Sequence, residues 1–585
     1  MRIFASLMAS TLFAACLAEE TAPEPVAEVV EAVEKAAGWT KGGMVAAADP
    51  RAVEAGLEVL RAGGHAVDAA IAVHAVLGLV EPQSSGIGGG AFMVVYERES
   101  GDLTVFDGRE TAPAAVTPDL FIKDGEVLGF IDAWQSGRSV GVPGQIALYQ
   151  AAHNEFGLAE WPSLFDEGIR LAEEGFAVSP RLAALLANER LRDAVQLDDN
   201  PDTAAYFYPD GAPLAEGQVR DNPDYAATLR AVAENGPSAF YTGPIAEAIV
   251  AAAAAAPEGS TMTLEDLESY EVKQRPALCG TFRTYRICSA PPPSSGGITQ
   301  NMIMGLYDRF LPEGEVPEDE KVVTLVEAQR LTYADRDHYV ADADFVAVPS
   351  EDLINPVYLD ARMGEAVLPG ATPQPGDPGE VLGRGSIIDR WGRDTTEDAP
   401  GTTHISIVDQ NGNAVSMTAT VEAAFGSSRW AAGFLLNNEL TDFARQPELN
   451  GKPVANAPAG GKRPRSSMSP TIVFDEAGNL FMVTGSPGGN SIIAYTVKTL
   501  AGVLDWGMTA QEAADFPNII ARGESVGVEV DRGDGQRLAD MLKERGYNVQ
   551  ERRGENSGLH VIVVREDGLE GAADPRREGI ALAVE

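Results

Sequence analysis

Between residues 404 and 409 apolar and polar positions alternate, the period-two pattern of a strand with one buried face. Asn411-Gly412 follows, a strong hairpin signal, and residues 414–420 read as the returning strand. Similar runs predict a hairpin from 92–96 and 103–106, after which Arg109 is presented, strands at 471–474 and 480–484, and a last strand at 559–564. Helical spacing surrounds them. Val53, Leu57 and Leu60 fall at i, i+4 and i+7, and Gly63-Gly64 closes that helix. The small and apolar run 67–80 predicts a second, buried helix, with His74 as a satisfied core histidine. Residues 144–257 read as mostly helical, the alanine run at 246–256 serving packing. Thr263 with Glu265-Asp266 resembles a helix start. The proline-rich stretch 290–297 is a rigid turn before a helix at 298–311, and further helices are expected at 324–339, 491–504, 510–516 and 536–545. Residues 369–378 form a Pro/Gly loop. The pattern as a whole is mixed α and β.

Composition narrows the function classes. The 585 residues carry 87 acidic and 44 basic side chains, a formal net charge of −43. No basic stripe is available for nucleic acid, and the surface is that of a soluble acidic protein. Residues 1–18 have the form of a secretory signal: an early Arg2, an apolar and small-residue run, and a small-residue site at Ala18. The run is too short to span a bilayer as a helix. Phe13-Ala14-Ala15-Cys16 also has the form of a bacterial lipoprotein box. The mature protein is then either periplasmic or secreted, or lipid-anchored through Cys16. Residues 19–42 read as a linker.

The two remaining cysteines, Cys279 and Cys288, flank a tight hairpin. They are either a cross-strand disulfide or two free thiols on neighbouring strands. Neither they nor the six scattered histidines (His65, His74, His153, His338, His404, His560) have metal-ligand spacing. Gly86-x-Gly88-x-x-Ala91 fits a dinucleotide-loop pattern but lies between a helix and a strand, the reverse of the order such a loop needs.

Thr402 and Thr403 begin the 404–409 strand directly after a turn-rich stretch ending at Gly401. A threonine hydroxyl is a poor nucleophile unless a base takes its proton. One solution is to make it the first residue of its chain, with its own α-amine, of pKa near 8, as the base. Here that requires cleavage of the Gly401–Thr402 bond. Without that chemistry the threonines are ordinary strand formers.

Around Thr402 lie several long motifs: EPQSSGIGGGAF (81–92), FDGRETAP (106–113), TTH (402–404), LLNNELTDF (435–443), GKRPRSSMSPTIV (461–473) and TGSPGG (484–489). In order and spacing they resemble the γ-glutamyltransferase family, from about residue 43 to the end. The resemblance implies an α+β fold, a four-layer αββα sandwich of the N-terminal-nucleophile hydrolase type. It implies self-cleavage before Thr402 into a large subunit (43–401) and a small catalytic subunit (402–585) that stay together as a heterodimer. Thr402 would attack the γ-glutamyl amide of glutathione or a related compound, then pass the acyl group to water or to an amino acid or peptide acceptor. No cofactor and no metal are expected.

Residue by residue, Thr420 matches a second threonine beside the nucleophile, and Gly488 and Gly489 match the oxyanion donors. Arg109, Ser466 and Ser467 match the groups that bind the substrate α-carboxylate, while Glu422, Glu439 and Asp442 match those that accept from its α-ammonium. Without the family context Arg109 reads as a surface ion pair with Glu110. The 445–465 loop is shorter than in some bacterial members and has no aromatic residue to cover the pocket, so a more open pocket is expected. A glutaryl-type cephalosporin acylase with the same machinery is the alternative activity, and an inactive γ-glutamyl-peptide-binding protein is a further rival.

Overall fold

A computed structural model describes residues 39–312, 314–365, 368–396, 401–554 and 557–585. The leader, Cys16 and most of the linker lie outside these residues, as do residues 397–400 before the expected cut. Two antiparallel sheets organise the chain. In the first, seven strands run in the order Ile580–Ala583, Met44–Ala47, Thr402–Val408, Ala414–Thr420, Gly90–Tyr96, Leu103–Gly108, Lys273–Pro276. In the second the order is Gly568–Ala573, His560–Arg565, Leu480–Gly485, Thr471–Phe474, Tyr285–Ser289, Leu278–Phe282. The fold is α+β.

Alternating side chains divide the core. From the first sheet Met44, Phe92, Val94 and Val408 meet Cys288, Ile472, Phe474 and Ile562 of the second. Val45, Ile405, Ile407, Val415 and Met417 point the other way, into a cluster shared with the helices Pro50–Arg61 and Ala66–Val80. On the far face of the second sheet, Ile287, Val473, Met482 and Val561 pack with the helices Gly296–Phe310, Glu318–Tyr339 and Ile492–Leu504.

The period-two pattern at 404–409 predicted one buried and one exposed face. Instead every residue of Thr402–Val408 and of Ala414–Thr420 is buried. The polar face looks at the second sheet and is satisfied there. His404 bonds Thr418 Oγ1 at 2.9 Å and Ser406 Oγ at 3.0 Å. Ser406 Oγ donates to the His560 carbonyl, and Ser416 Oγ to the Thr484 carbonyl. Buried polar groups survive in a core when they are paired in this way.

Other expectations change at the edges. The Met44–Ala47 strand, only four residues long, has no readable period. Residues 559–564 do not form the last strand, because Gly568–Ala573 and Ile580–Ala583 follow and extend one sheet each. The 324–339 helix starts earlier, at Glu318, where Glu318, Asp319 and Glu320 oppose the positive end of the helix dipole. Thr263 does cap a helix, in a capping box with Asp266. Cys279 and Cys288 sit opposite one another in register and are joined as a disulfide. His74 is fully buried between Tyr149 and Ser85. Gly86 to Ala91 cradles no cofactor turn: a Cβ on Gly88 would lie 2.1 Å from the Leu435 carbonyl and one on Gly89 1.9 Å from that of Thr420. These glycines allow close backbone packing against the Thr420 strand. No helix among the described residues is long and apolar enough to cross a membrane.

Burial drives His74 down to about 3, His560 to about 4, and His404 well below the ordinary 6.5. On unfolding each would regain its ordinary affinity for a proton. Since the folded values are depressed, these histidines cost nothing above about pH 6.5 and destabilise the fold progressively as pH falls below it. For His560 the loss between pH 6.5 and 5 is about 2 kcal/mol. Urea midpoints should therefore drop from pH 7 to pH 5, and drop less in a His560→Gln variant. An equal drop in both proteins would show that His560 does not carry this load.

Candidate active site

Thr402 opens its strand directly opposite Thr420, the first register pair between the two strands. Their hydroxyls lie 3.2 Å apart. Thr420 Oγ1 also accepts from the Glu422 backbone N–H at 2.8 Å and donates to the Gly401 carbonyl at 2.7 Å. With its one proton used on Gly401, Thr420 can only accept from Thr402, so the Thr402 O–H points at Thr420 Oγ1. Gly401 itself has no room for a side chain: a Cβ would lie 2.3 Å from the Glu422 carbonyl.

Glu422 follows at φ 78°, a left-handed conformation rare for a non-glycine residue. It turns the chain out of the strand, and Asn438 Nδ2 donates to its carboxylate. Glu439–Asp442 is a single 3₁₀ turn. Residues three apart eclipse in such a turn, so Glu439 and Asp442 face the same way, toward Arg109.

Arg109 is 1% exposed and is not a surface partner of Glu110. It leaves the end of the Leu103–Gly108 strand, its carbonyl held by Tyr270 Oη at 2.8 Å. One guanidinium nitrogen pairs with Glu439, and Nη2 pairs with Asp442 at 2.5 Å and with the Arg465 carbonyl at 2.9 Å. Nε donates to the Pro464 carbonyl. Burial opposes the charge on Arg109, but Glu439 and Asp442 more than offset it and its pKa rises. Burial likewise raises Glu439 well above the carboxylate range and Glu110 to about 7, against the pull of Arg109.

The paired serines are held from behind. Ser295 donates to the Ser466 carbonyl through both its N–H and its hydroxyl, each at 2.7 Å. Arg336 Nη2 donates to Ser467 Oγ at 2.5 Å. Gly488 (φ 135°) and Gly489 (φ 55°) turn the chain from Leu480–Gly485 into the helix Ile492–Leu504. A Cβ on Gly488 would lie 2.6 Å from the Tyr495 ring.

One cleft is lined by Arg109, Thr402, Thr420, Glu422, Glu439, Asp442, Ser466, Ser467 and Gly489, together with Met468 and Ile492, which no sequence reading had assigned. Gly488 is the next residue along, without lining the cleft itself. Beside the shorter 445–465 loop the cleft has little free room. The cavity is about 20 Å³, close to the room one water needs, because the Arg109 ion pairs span it. Sequence reading also missed Asn438, Arg336 and Arg577, whose Nη1 donates to the Thr402 carbonyl at 2.7 Å. Asn438 stands inside the 435–443 motif and was open to local reading, whereas no local pattern marks Arg336 or Arg577, which reach the site from distant segments.

By fold the chain is similar to the cephalosporin acylase from Bacillus halodurans, which superposes with a TM-score of 0.81 at 26% identity, covering 98% of this chain and all of that one. The glutathione hydrolase proenzyme of Bacillus subtilis (strain 168) is 35% identical over 555 residues, 93% of this chain and 92% of that protein. That of Escherichia coli (strain K12) is 33% identical over 581 residues, 97% of each. The γ-glutamyltranspeptidase profile matches residues 52–584. The chain belongs to the γ-glutamyltranspeptidase family and is an enzyme of that kind.

Removing one member of a buried ion-paired group strands the others, at a cost of about 3–5 kcal/mol. Arg109→Gln should destabilise the protein by that order at pH 7. The loss should shrink at pH 5, where Glu439, whose carboxyl burial already holds above its ordinary range, can protonate. Urea unfolding at both pH values measures this; a loss below about 1 kcal/mol at pH 7 would mean that the pairs bear little load.

Proposed function

We propose that the chain is a self-processed γ-glutamyltransferase that hydrolyses glutathione and its conjugates, with Thr402 as nucleophile. The observation that carries this is the grouping of the Thr402–Thr420 hydroxyl pair with Arg109, Glu439, Asp442 and the paired serines in one cleft. Maturation starts at Gly401. Thr420 polarises its carbonyl, and Thr402 Oγ attacks that carbon. The peptide nitrogen gains the proton that Oγ gives up and leaves as the α-amine, the acyl group moves to Oγ as an ester, and water releases Gly401 as a carboxylate and restores the Thr402 hydroxyl. The products are a large subunit (43–401) and a small subunit (402–585) in an αββα frame, held together as a heterodimer.

In turnover the freed α-amine takes the Thr402 hydroxyl proton while Oγ attacks the γ-carbonyl. Backbone N–H groups at Gly488 and Gly489 stabilise the oxyanion, a contribution of a few kcal/mol per donor. The amine then protonates the departing peptide nitrogen, leaving a γ-glutamyl ester on Thr402. Water gives glutamate; an amino acid or peptide acceptor gives a new γ-glutamyl amide.

Substrate binding is an exchange of ion pairs. A γ-glutamyl group brings an α-carboxylate and an α-ammonium together. The carboxylate takes the donors of Arg109, assisted by Ser466 and Ser467, and the ammonium takes the acceptors of Glu439 and Asp442, with Glu422 nearby. Arg109 pairs with Oε1 of Glu439 alone, and the second oxygen, beside the Glu110 carboxyl, is the acceptor a cationic guest would take. A glutaryl group would remove Arg109 from the two acids and give them nothing in return. The likeness to a cephalosporin acylase favours glutaryl amides as the second reading. The signal-like N-terminus supports export to the periplasm or beyond, either free or anchored at Cys16.

Thr402→Ala should yield one uncut, inactive chain on denaturing mass analysis, where the parent yields two chains, the smaller beginning at Thr402. A cut and active Thr402→Ala protein removes this mechanism. Turnover of a γ-glutamyl anilide should exceed that of the glutaryl anilide by about 100-fold or more in kcat/KM, the penalty for unpaired buried polar groups; the reverse order would select the acylase reading.

A further inference from the structure

The first residue of a newly cut chain has lost one of its two covalent tethers. Strand pairing secures Thr402 on the Thr420 side. On the opposite side the Met44–Ala47 strand pairs only with Ser406 to Val408 and stops short of Thr402. A backbone carbonyl buried there still needs a donor, and Nη1 of Arg577 supplies it at 2.7 Å. The topology explains how a residue near the C-terminus reaches this point. Arg577 stands three residues before Ile580–Ala583, the strand that lies beside Met44–Ala47.

The passage of this side chain is built into its surroundings. A Cβ on Gly558 would lie 2.6 Å from Arg577 Cδ and 2.8 Å from Nε, so only glycine lets the stem through. The side chain of Arg577 is 1% exposed and that of Glu81 3%. Glu81 pairs with Arg181 at 2.5 Å, accepts from Thr403 Oγ1 at 3.4 Å, and stands 3.9 Å from Arg577. The Arg181 backbone N–H bonds Glu578 at 2.7 Å. Burial lowers Arg577 to about 9, still charged at neutral pH. Groups from 81, 181 and 577–578 thus converge on the backbone of Thr402 and the side chain of Thr403.

We infer that Arg577 is a positioning residue: once the chain is cut, it holds the Thr402 carbonyl so that the α-amine and Oγ of that residue keep the geometry of attack. This rests on the reading of Thr402 as nucleophile. Arg577 does not line the substrate cleft, so its loss should spare substrate binding. Glutamine removes the charge and shortens the reach; lysine keeps the charge but offers a single point donor in place of the planar fork.

Cut enzyme carrying Arg577→Gln should turn over a γ-glutamyl anilide with kcat at least tenfold lower and KM within twofold of the parent. Arg577→Lys should fall between the two. Parental kcat in either variant overturns the inference, as does a loss expressed mainly in KM. If Arg577→Gln fails to fold, Arg577→Lys decides alone by the same criterion of reduced kcat at unchanged KM. Thr402→Ala measured alongside separates the two levels: if it remains uncut and inactive while the Arg577 variants are parental, only this inference fails, whereas a cut and active Thr402→Ala protein brings down the reading beneath it.

Discussion

Register at one residue pair governs the site. Thr402 stands opposite Thr420 at the very start of two strands that are buried on both faces. A slip by one position would turn Thr402 to the other face of the sheet and put Thr403 in its place. It would also turn His404 and Ser406 away from Thr418 and the second sheet, breaking the hydrogen bonds that make a polar face tolerable inside a core. The polar pattern that looks wasteful in a buried strand therefore specifies the register. The glycines at 88 and 89 support the same arrangement by allowing backbone to approach the Thr420 strand at distances that a side chain would forbid.

Charge is the second constraint. Arg109, Glu439 and Asp442 are buried together, where an unpaired charge is expensive. The intact chain solves this by pairing the three with each other. The solution is provisional, since a ligand bearing both charges can replace each partner in turn. A ligand bearing only one charge satisfies half of the set and strands the rest. In the proposed binding mode, selectivity for a zwitterionic end group would follow from burial as much as from contact, and the 20 Å³ of room in the cleft belongs to the internally paired arrangement.

Much of this is legible in the sequence, for definite reasons. Thr402, Arg109, Glu439, Asp442 and the paired serines sit in motifs where residue types and spacing follow one local piece of backbone. Arg109 ends a hairpin strand, and Glu439 and Asp442 share one turn. Illegible are the groups whose role depends on distant neighbours. Arg577 lies in an unremarkable Asp-Pro-Arg-Arg segment and acquires meaning only because the Ile580–Ala583 strand adds next to Met44–Ala47. Arg336 is one charge on a long helix until the fold brings Ser467 to it. The Met44–Ala47 strand is too short to show a period, and the buried polar face of Thr402–Val408 mimics an exposed one. Arg109 itself misleads when read locally, because Glu110 is its sequence neighbour and Glu439 and Asp442 are its partners.

These strands also bear on how the proposed cut before Thr402 would leave one body. Thr402–Val408 lies between Met44–Ala47 and Ala414–Thr420, and Ala414–Thr420 in turn pairs with Gly90–Tyr96. Ile580–Ala583 pairs on the far side of Met44–Ala47. Segments from before and after Gly401 are therefore interleaved in the first sheet. In the second sheet Thr471–Phe474 pairs with Tyr285–Ser289, again joining segments from the two sides of Gly401. Separating the fragments would expose strand edges in both sheets and the apolar layer between them. Breaking one peptide bond changes none of these contacts. What it does release is the first residue of the Thr402 strand, and the fold meets that freedom locally, with Thr420 on one side of Thr402 and Arg577 on the other.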